Sequence, residues 1–366
     1  MHRLLHVVGA RPNFMKAAAV LHAGRGRPQL AQALVHTGQH YDDAMSARFF
    51  ADLALPAPDA ALEVGSGTHA EQTARALVAF EPVLDRVQPD WVVVYGDVNS
   101  TLASALCAAK KGVPVAHVEA GVRSGDRAMP EELNRVLTDQ LATLCLTPNR
   151  EADAILAREG VPPSRIRCVG NVMMDTLTRL GGAAAALGVP ERLGLAERGY
   201  AVATFHRPAN VDDPEALGQL LAGLGAVARE LPVVFPMHPR TRARVEALGP
   251  VCPTPGVRVM EPLGYLEMIG LVRSAAVVLT DSGGLQVEAA SLGTPCVTVR
   301  PTTEWTETIR LGLNRLARRD GMAQAVRAAL GAKPARGVRA EGWDGAAGGR
   351  VLDALLAPLP AAAPRA

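Results

Sequence analysis

Two acidic residues stand at the ends of two apolar runs. The run 91–95 (WVVVY) is followed by Asp97, and the run 113–118 ends on Glu119. A third acidic step, Pro130–Glu131–Glu132, opens a helix-like segment. Within that segment Glu131, Asn134, Arg135 and Thr138 follow the i, i+3, i+4, i+7 spacing of one helix face. Ligands of parallel α/β sheets bind outside the carboxyl ends of the strands. The spacing therefore predicts Asp97 and Glu119 on neighbouring strand tips facing one crevice. Carboxylates that converge beside an arginine suit proton transfer next to an anionic ligand.

Other loops could hold that anion. The first strand ends in GARPN and leads into a helix carrying Lys16. Such a turn aims free backbone N–H groups at its ligand, and Arg11 and Lys16 add positive charge. Taken alone, the segment fits a plain strand–helix turn equally well. A stronger counterpart lies in the second half, where the run 275–280 ends in Asp281–Ser282–Gly283–Gly284 before a helix at 285–292. Ser282 can donate its hydroxyl, and the glycines let the backbone approach a phosphate. Glu288, one turn into that helix, would repel a phosphate and is read as an acceptor for ribose hydroxyls; the plainer alternative is a tight turn with a solvated glutamate. His206 and Arg207 end the first strand of the second half, where diphosphate binding competes with a structural, hydrogen-bonded histidine. His238 repeats the strand-tip placement, and Arg240 and Arg242 beside it equally suit a solvated helix start. Gln39 and His40 close the second strand, against a sugar or as a satisfied turn. Met173 and Met174 read as core.

The elements that must position these residues alternate. Strand-like runs near 4–8, 33–36, 91–95, 113–118, 144–147 and 166–169 are separated by helical patterns such as 14–21, 71–87 and 100–111. This is the βαβ pattern of a parallel sheet covered by helices. A stretch rich in Gly and Ala, 181–199, is read as the domain crossing. A second set of strands follows near 200–205, 232–235, 257–260, 275–280 and 295–299. The expectation is α/β: two Rossmann-like domains facing across a cleft, 1–180 and 181–345, with a closing helix and frayed tail over 346–366.

Composition narrows the functional classes. The 366 residues are 48% apolar and 20% charged, as in ordinary globular proteins. A net charge of +2 provides no strong field toward nucleic acid or membrane. Aromatics are only 4%, which argues against single-strand nucleic-acid binding. The five cysteines show no metal-ligand spacing and read as free thiols of a reducing compartment. The N-terminus runs straight into a strand without a leader pattern, which predicts a cytoplasmic protein. No apolar run is long enough to cross a bilayer.

With these pieces in place, the chain resembles the non-hydrolysing UDP-N-acetylglucosamine 2-epimerases, which have the two-domain GT-B fold. The resemblance runs from about residue 7 to 314 and rests on GARPNFMK, TGQHYD, GSGTHAEQT, YGDVNST, HVEAGVRS, MPEELNRVLTD, GNVMMDTL, HRPANVDD and TDSGGLQVEAASLGTPCVTVRPTTEWTET in that order. It implies that Asp97, Glu119 and Glu131 are catalytic carboxylates and that His206 supports UDP and catalysis. Arg11, Lys16 and Arg135 match positive residues of the active cleft. Ser282, Gly283 and Gly284 match the diphosphate cradle, and Glu288 the ribose ligand. Gln39, His40, Gln72 and His238 lie where some members bind a second, activating UDP-sugar. The resemblance also implies a homodimer. The chain departs from the pattern at Ala209, where many members carry an acidic residue, at Met268, where an aromatic commonly covers uracil, and at Trp305, where some relatives carry arginine.

The implied reaction interconverts UDP-GlcNAc and UDP-ManNAc. No carbonyl acidifies the C2 hydrogen, so the C1–O bond to UDP must break first or concertedly. Positive charge then develops at C1 and the ring oxygen, as in glycoside hydrolysis. UDP and 2-acetamidoglucal would form, and re-addition with proton delivery to the opposite face would invert C2. Domain closure would retain the glycal and exclude water. This chemistry needs no metal or other cofactor. A 2-epimerase of a modified sugar such as a UDP-diacetamido-uronic acid, a GT-B glycosyltransferase and a non-catalytic UDP-sugar sensor are the alternatives.

Overall fold

The computed structural model describes residues 1–38, 43–249, 255–332 and 340–358. Contacts divide the chain into two units, Met1–Arg179 with Glu341–Ala366, and Leu180–Ala340. Each is built on one parallel sheet.

The first unit holds β1 (His2–Val8), β2 (Leu30–His36), β3 (Ala60–Ala61), β4 (Trp91–Tyr95), β5 (Val115–Val118), β6 (Leu144–Thr147) and β7 (Ile166–Cys168). Their order is β3-β2-β1-β4-β5-β6-β7, with every pairing parallel. Strands buried on both faces need continuous apolar sequence, and all five residues of β4 are buried. The chain winds outward from β1 to β3, then returns to β4 on the other side. Loops leaving β1 and β4 diverge, which opens a crevice at their carboxyl ends.

The second unit repeats the topology with β8 (Ala201–Thr204), β9 (Val233–Pro236), β10 (Val257–Met260), β11 (Val277–Thr280), β12 (Cys296–Thr298) and β13 (Asn314–Leu316). Its order, β10-β9-β8-β11-β12-β13, puts the corresponding switch point between β8 and β11. Apolar clusters cover both faces, one around Phe205, Phe235 and Leu220, the other around Tyr200, Val234 and Leu271.

Local chemistry explains several boundaries. Helix His69–Val87 starts on a capping box: Thr68 Oγ1 accepts from Glu71 N, and Glu71 Oε2 accepts from Thr68 N. β5 begins at Val115 rather than 113, because Val113 N is committed to Ala108 O and helps close the preceding helix. The stretch expected as a crossing is helical through its first part. Helix Val172–Ala186 runs through Gly181 and Gly182, and its alanines offset the glycine cost. β3 and β13, not foreseen, are two and three residues long and lack an apolar run. Met173 and Met174 are core. Helix Ala347–Leu356 returns to the first unit and packs on helix Arg11–Ala23, its amides at Ala347 and Gly348 donating to the Asp175 carboxylate. The tail from 359 lies outside the described residues. Cys107, Cys145, Cys168 and Cys296 are free thiols.

Candidate functional site

At the first switch point, Asn13 ties two strand tips together. Its Oδ1 accepts from Gly9 N and Ala10 N at 3.1 and 3.2 Å, and its Nδ2 donates to Tyr95 O at 2.7 Å. Lys16, one turn further along the helix, is buried and forms a 2.5 Å ion pair with Glu119 Oε1. Both lie over Gly96, where a Cβ would sit 2.8 Å from Lys16 Nζ. Gly96 also has a φ of +61°, so the position requires glycine twice over.

Glu119 sits just past β5 at φ +75°, a left-handed conformation that costs a non-glycine residue about 1–3 kcal/mol. Its own N–H and that of Ala120 both donate to Leu146 O, at 3.0 and 3.2 Å, and hold the turn. Burial raises its carboxyl above the usual range despite Lys16. Glu119 Oε2 is buried and has no hydrogen-bond partner among the described residues.

Asp97 stands beyond the adjacent β4 tip and keeps about a quarter of its side chain exposed. Arg135 binds its Oδ2 through Nε at 3.0 Å and Nη2 at 2.6 Å. Asn134 Nδ2 donates to Asp97 O at 2.9 Å and to Asn99 Oδ1 at 3.2 Å. The helix face that carries Asn134 and Arg135 is thus the one turned to Asp97. The acidic pair at the start of helix Pro130–Leu141 divides. Glu132 is buried, binds Arg135 Nη1 at 2.5 Å and accepts from Ser124 N and Gly125 N. Burial alone would raise its carboxyl, but these bonds bring it below the usual range. Glu131 is half-buried, and its side chain makes no hydrogen bond or ion pair to a described residue.

Gln72, expected at a second-ligand position, is buried and accepts from Asn99 Nδ2 at 2.9 Å. It joins the polar chain that runs through Asn99 and Asn134 to Asp97. Gln39, His40 and the side chain of Arg11 lie outside the described residues; Arg11 opens its helix.

At the second switch point the organising residue is Asp281, for which the sequence alone suggests no role beyond a place in the turn. It is fully buried at the end of β11. Its carboxylate accepts from His206 N, Arg207 N and Asn210 Nδ2 at 3.0–3.1 Å, and His206 Nδ1 lies 3.2 Å away. Burial would raise this carboxyl, but His206 and the other donors leave it below the usual range. The His206 side chain stays 39% exposed, with the His238 ring 5.5 Å away. His238 also caps helix Pro239–Ala247, accepting from Arg240 N. Arg240 is paired with Asp212 and Arg242 with Glu261.

Ser282 caps helix Gly283–Leu292, its Oγ accepting from Leu285 N at 3.5 Å, which leaves the hydroxyl hydrogen to donate. A Cβ on Gly283 would collide with Glu304 Oε1, and Glu304 is paired with Arg300 at 2.7 Å. Gly284 is the second residue of the same helix. Glu288, on its buried side, has its carboxyl pushed up to about 8 by burial, against a hydrogen bond from Tyr265, and Oε1 has no partner among the described residues. No metal-binding cluster of His, Cys, Asp and Glu occurs among the described residues, and no helix there is long and apolar enough to cross a membrane.

Two doubly wound units with charged and polar residues at both switch points define a two-domain α/β protein of the GT-B class. The structure of Methanocaldococcus jannaschii UDP-GlcNAc 2-epimerase in complex with UDP-GlcNAc and UDP matches with a TM-score of 0.90 at 36% identity, covering 96% of this chain and 99% of that one. A Pseudomonas aeruginosa UDP-2,3-diacetamido-2,3-dideoxy-D-glucuronate 2-epimerase is 44% identical over 90% of this chain and 92% of its own length. The M. jannaschii UDP-N-acetylglucosamine 2-epimerase is 39% identical over 86% and 88%. The family model for UDP-N-acetylglucosamine 2-epimerase matches residues 22–356. The chain belongs to the UDP-N-acetylglucosamine 2-epimerase family.

Proposed function

We propose that this protein inverts C2 of a UDP-2-acetamido sugar, with UDP-GlcNAc and UDP-ManNAc as the interconverted pair. The observation that carries the reading is Glu119, a buried carboxylate with one oxygen unpartnered among the described residues, in a strained turn beside Asp97 on the adjoining strand tip. Strain kept at a strand tip is characteristic of functional positions.

The bond from C1 to the UDP oxygen breaks, and its electron pair leaves with UDP. A carboxylate takes the C2 proton, and the C1–C2 double bond of 2-acetamidoglucal forms. Addition of UDP to C1 with protonation of C2 from the other face completes inversion. Two faces call for two proton-transfer groups, and Asp97, Glu119 and Glu131 supply the set. Lys16 holds Glu119, and Arg135 holds Asp97. Arg11, His206, Ser282 and the helix N-terminus at Gly283 and Gly284 oppose the negative charge gathering on UDP. Glu288 receives the ribose hydroxyls. His238 and Gln72, with Gln39 and His40, are the positions proposed for a second, activating UDP-sugar.

The 44% identity to the diacetamido-glucuronate epimerase favours a second reading, in which the substrate carries an additional acetamido group and a carboxylate. One experiment weighs both. The protein is incubated in D2O with UDP-GlcNAc and, separately, with the diacetamido-glucuronate analogue, and each sugar is followed by NMR. Deuterium at C2 together with the 2-epimer identifies the substrate. Free sugar plus UDP, or no exchange with either compound, would overturn the reading.

A further inference from the structure

The geometry points to His117 and Asp139 as a positioning pair that fixes the two strand tips carrying Asp97 and Glu119. This inference rests on the reading in which those carboxylates act on the sugar.

Both residues are fully buried. His117 lies in β5, and its ring bridges two elements: Nδ1 is 2.6 Å from Asp139 Oδ1, and Nε2 is 2.7 Å from Gly96 O. A carbonyl oxygen only accepts, so Nε2 carries a hydrogen. Asp139 already accepts from Gly121 N at 3.0 Å and from Arg123 Nη2 at 2.7 Å, and Arg123 continues to Glu159. Burial would raise the Asp139 carboxyl, but His117 and Arg123 hold it below the usual range, so it too acts as an acceptor. With both nitrogens committed inside the protein, His117 has none left for a ligand.

The consequence is positional. Gly96 immediately precedes Asp97, so the Nε2 bond sets where the Asp97 backbone leaves β4. Glu119 lies between His117 and Gly121, and both of those residues are tied to Asp139. Gly121 has a φ of +76°, and a Cβ there would meet Ala152 O at 2.6 Å, so the turn after Glu119 has little freedom. The pair thus clamps the strained Glu119 turn from both sides and links it to the neighbouring tip. A buried polar pair of this kind is weak support for stability, since well-packed apolar residues often serve as well. Its value here lies in the geometry it imposes.

The test uses the full chain with whichever UDP-sugar the wild type epimerises. His117→Asn and Asp139→Asn should each lower kcat by about a hundredfold, the scale expected of a misplacement near 1 Å. KM and the UDP dissociation constant from calorimetry should stay within about threefold of wild type. The double variant should be no worse than the poorer single one, because the two act as a unit. Folded variants with near-normal kcat, a loss confined to KM or UDP affinity, or independent losses that multiply in the double variant would each overturn the inference. Should these variants fail to fold, wild-type amide exchange decides: a slowly exchanging Gly121 N–H supports the clamp and fast exchange removes it. A wild type that epimerises neither sugar sinks the functional reading instead, and Gly121 exchange still reports whether the clamp exists.

Discussion

Glu119 combines burial, an oxygen without a partner among the described residues and a left-handed backbone, and each of these is costly without a compensating use. If it moves the C2 proton, Glu119→Gln, Asp97→Asn and Glu131→Gln should each cut turnover by at least about a hundredfold while UDP still binds. Steady-state kinetics with parallel calorimetry checks this, and near-normal turnover in all three would remove the assignment. Glu288 yields a pH prediction. Its carboxyl is raised to about 8, so in the unliganded protein it is uncharged at neutral pH. Accepting from ribose hydroxyls favours the carboxylate, so UDP binding should release a proton and tighten by about three- to tenfold from about pH 6 to about pH 8. Glu288→Gln should lose that slope; an unchanged slope by calorimetry would exclude Glu288 from the linkage. The stability sign is the reverse. A raised folded pKa leaves Glu288 neutral in both states at low pH, and its cost grows as pH rises from the unfolded value through 8. Glu288→Gln should therefore raise the melting temperature more at about pH 8.5 than at about pH 5.

At the level of elements, Asp281 holds the 206–210 turn as Asp139 holds the turn after Glu119. Asp281→Asn replaces an acceptor-only group by one that must also donate, among partners that are themselves donors. It should cost about 2–4 kcal/mol in denaturant unfolding and weaken UDP binding by at least about tenfold. An unfolding midpoint and UDP affinity equal to wild type would show that the turn holds without it. Helix Ala347–Leu356 makes a comparable demand in the first unit. A Cβ on Gly348 would meet Ala19 O at 2.6 Å, a backbone atom that cannot swing away. Gly348→Val should cost about 1–3 kcal/mol by overpacking, read from the same unfolding curves. These contacts also explain why an element so late in the chain belongs to the first unit.

For the molecule as a whole, the family assignment and the two-sheet architecture stand on full-length similarity, and the substrate is decided by the paired NMR assay. Association with a second copy is a proposal drawn from the family resemblance. Helices His69–Val87, Asn99–Lys110 and Pro130–Leu141 lie side by side and expose Val78, Leu133 and Leu137 at 68%, 41% and 50%. Burying such side chains is worth about 1.5–3 kcal/mol each. Val78→Glu with Leu137→Glu should therefore shift a dimer to monomer in light scattering, and an unchanged mass would place any interface elsewhere.

The order of residue types along the chain already specifies the alternation of strands and helices, the parallel class of both sheets and the placement of Asp97, Glu119, His206 and Ser282 at or just beyond strand tips. These follow from local periodicity and from apolar runs that stop at charged or small residues. The ordered motifs pointed to the family. Folding in three dimensions selects which acidic residue of the Glu131–Glu132 pair is tied down, brings Lys16 to Glu119, and makes Asp281 and the His117–Asp139 pair the organisers of the tips. Lys16 and Glu119 lie 103 residues apart in the chain, His206 and Asp281 75, and His117 and Asp139 22. Such pairings leave no periodic trace, because they depend on strand order and on which side chains burial brings within hydrogen-bond reach.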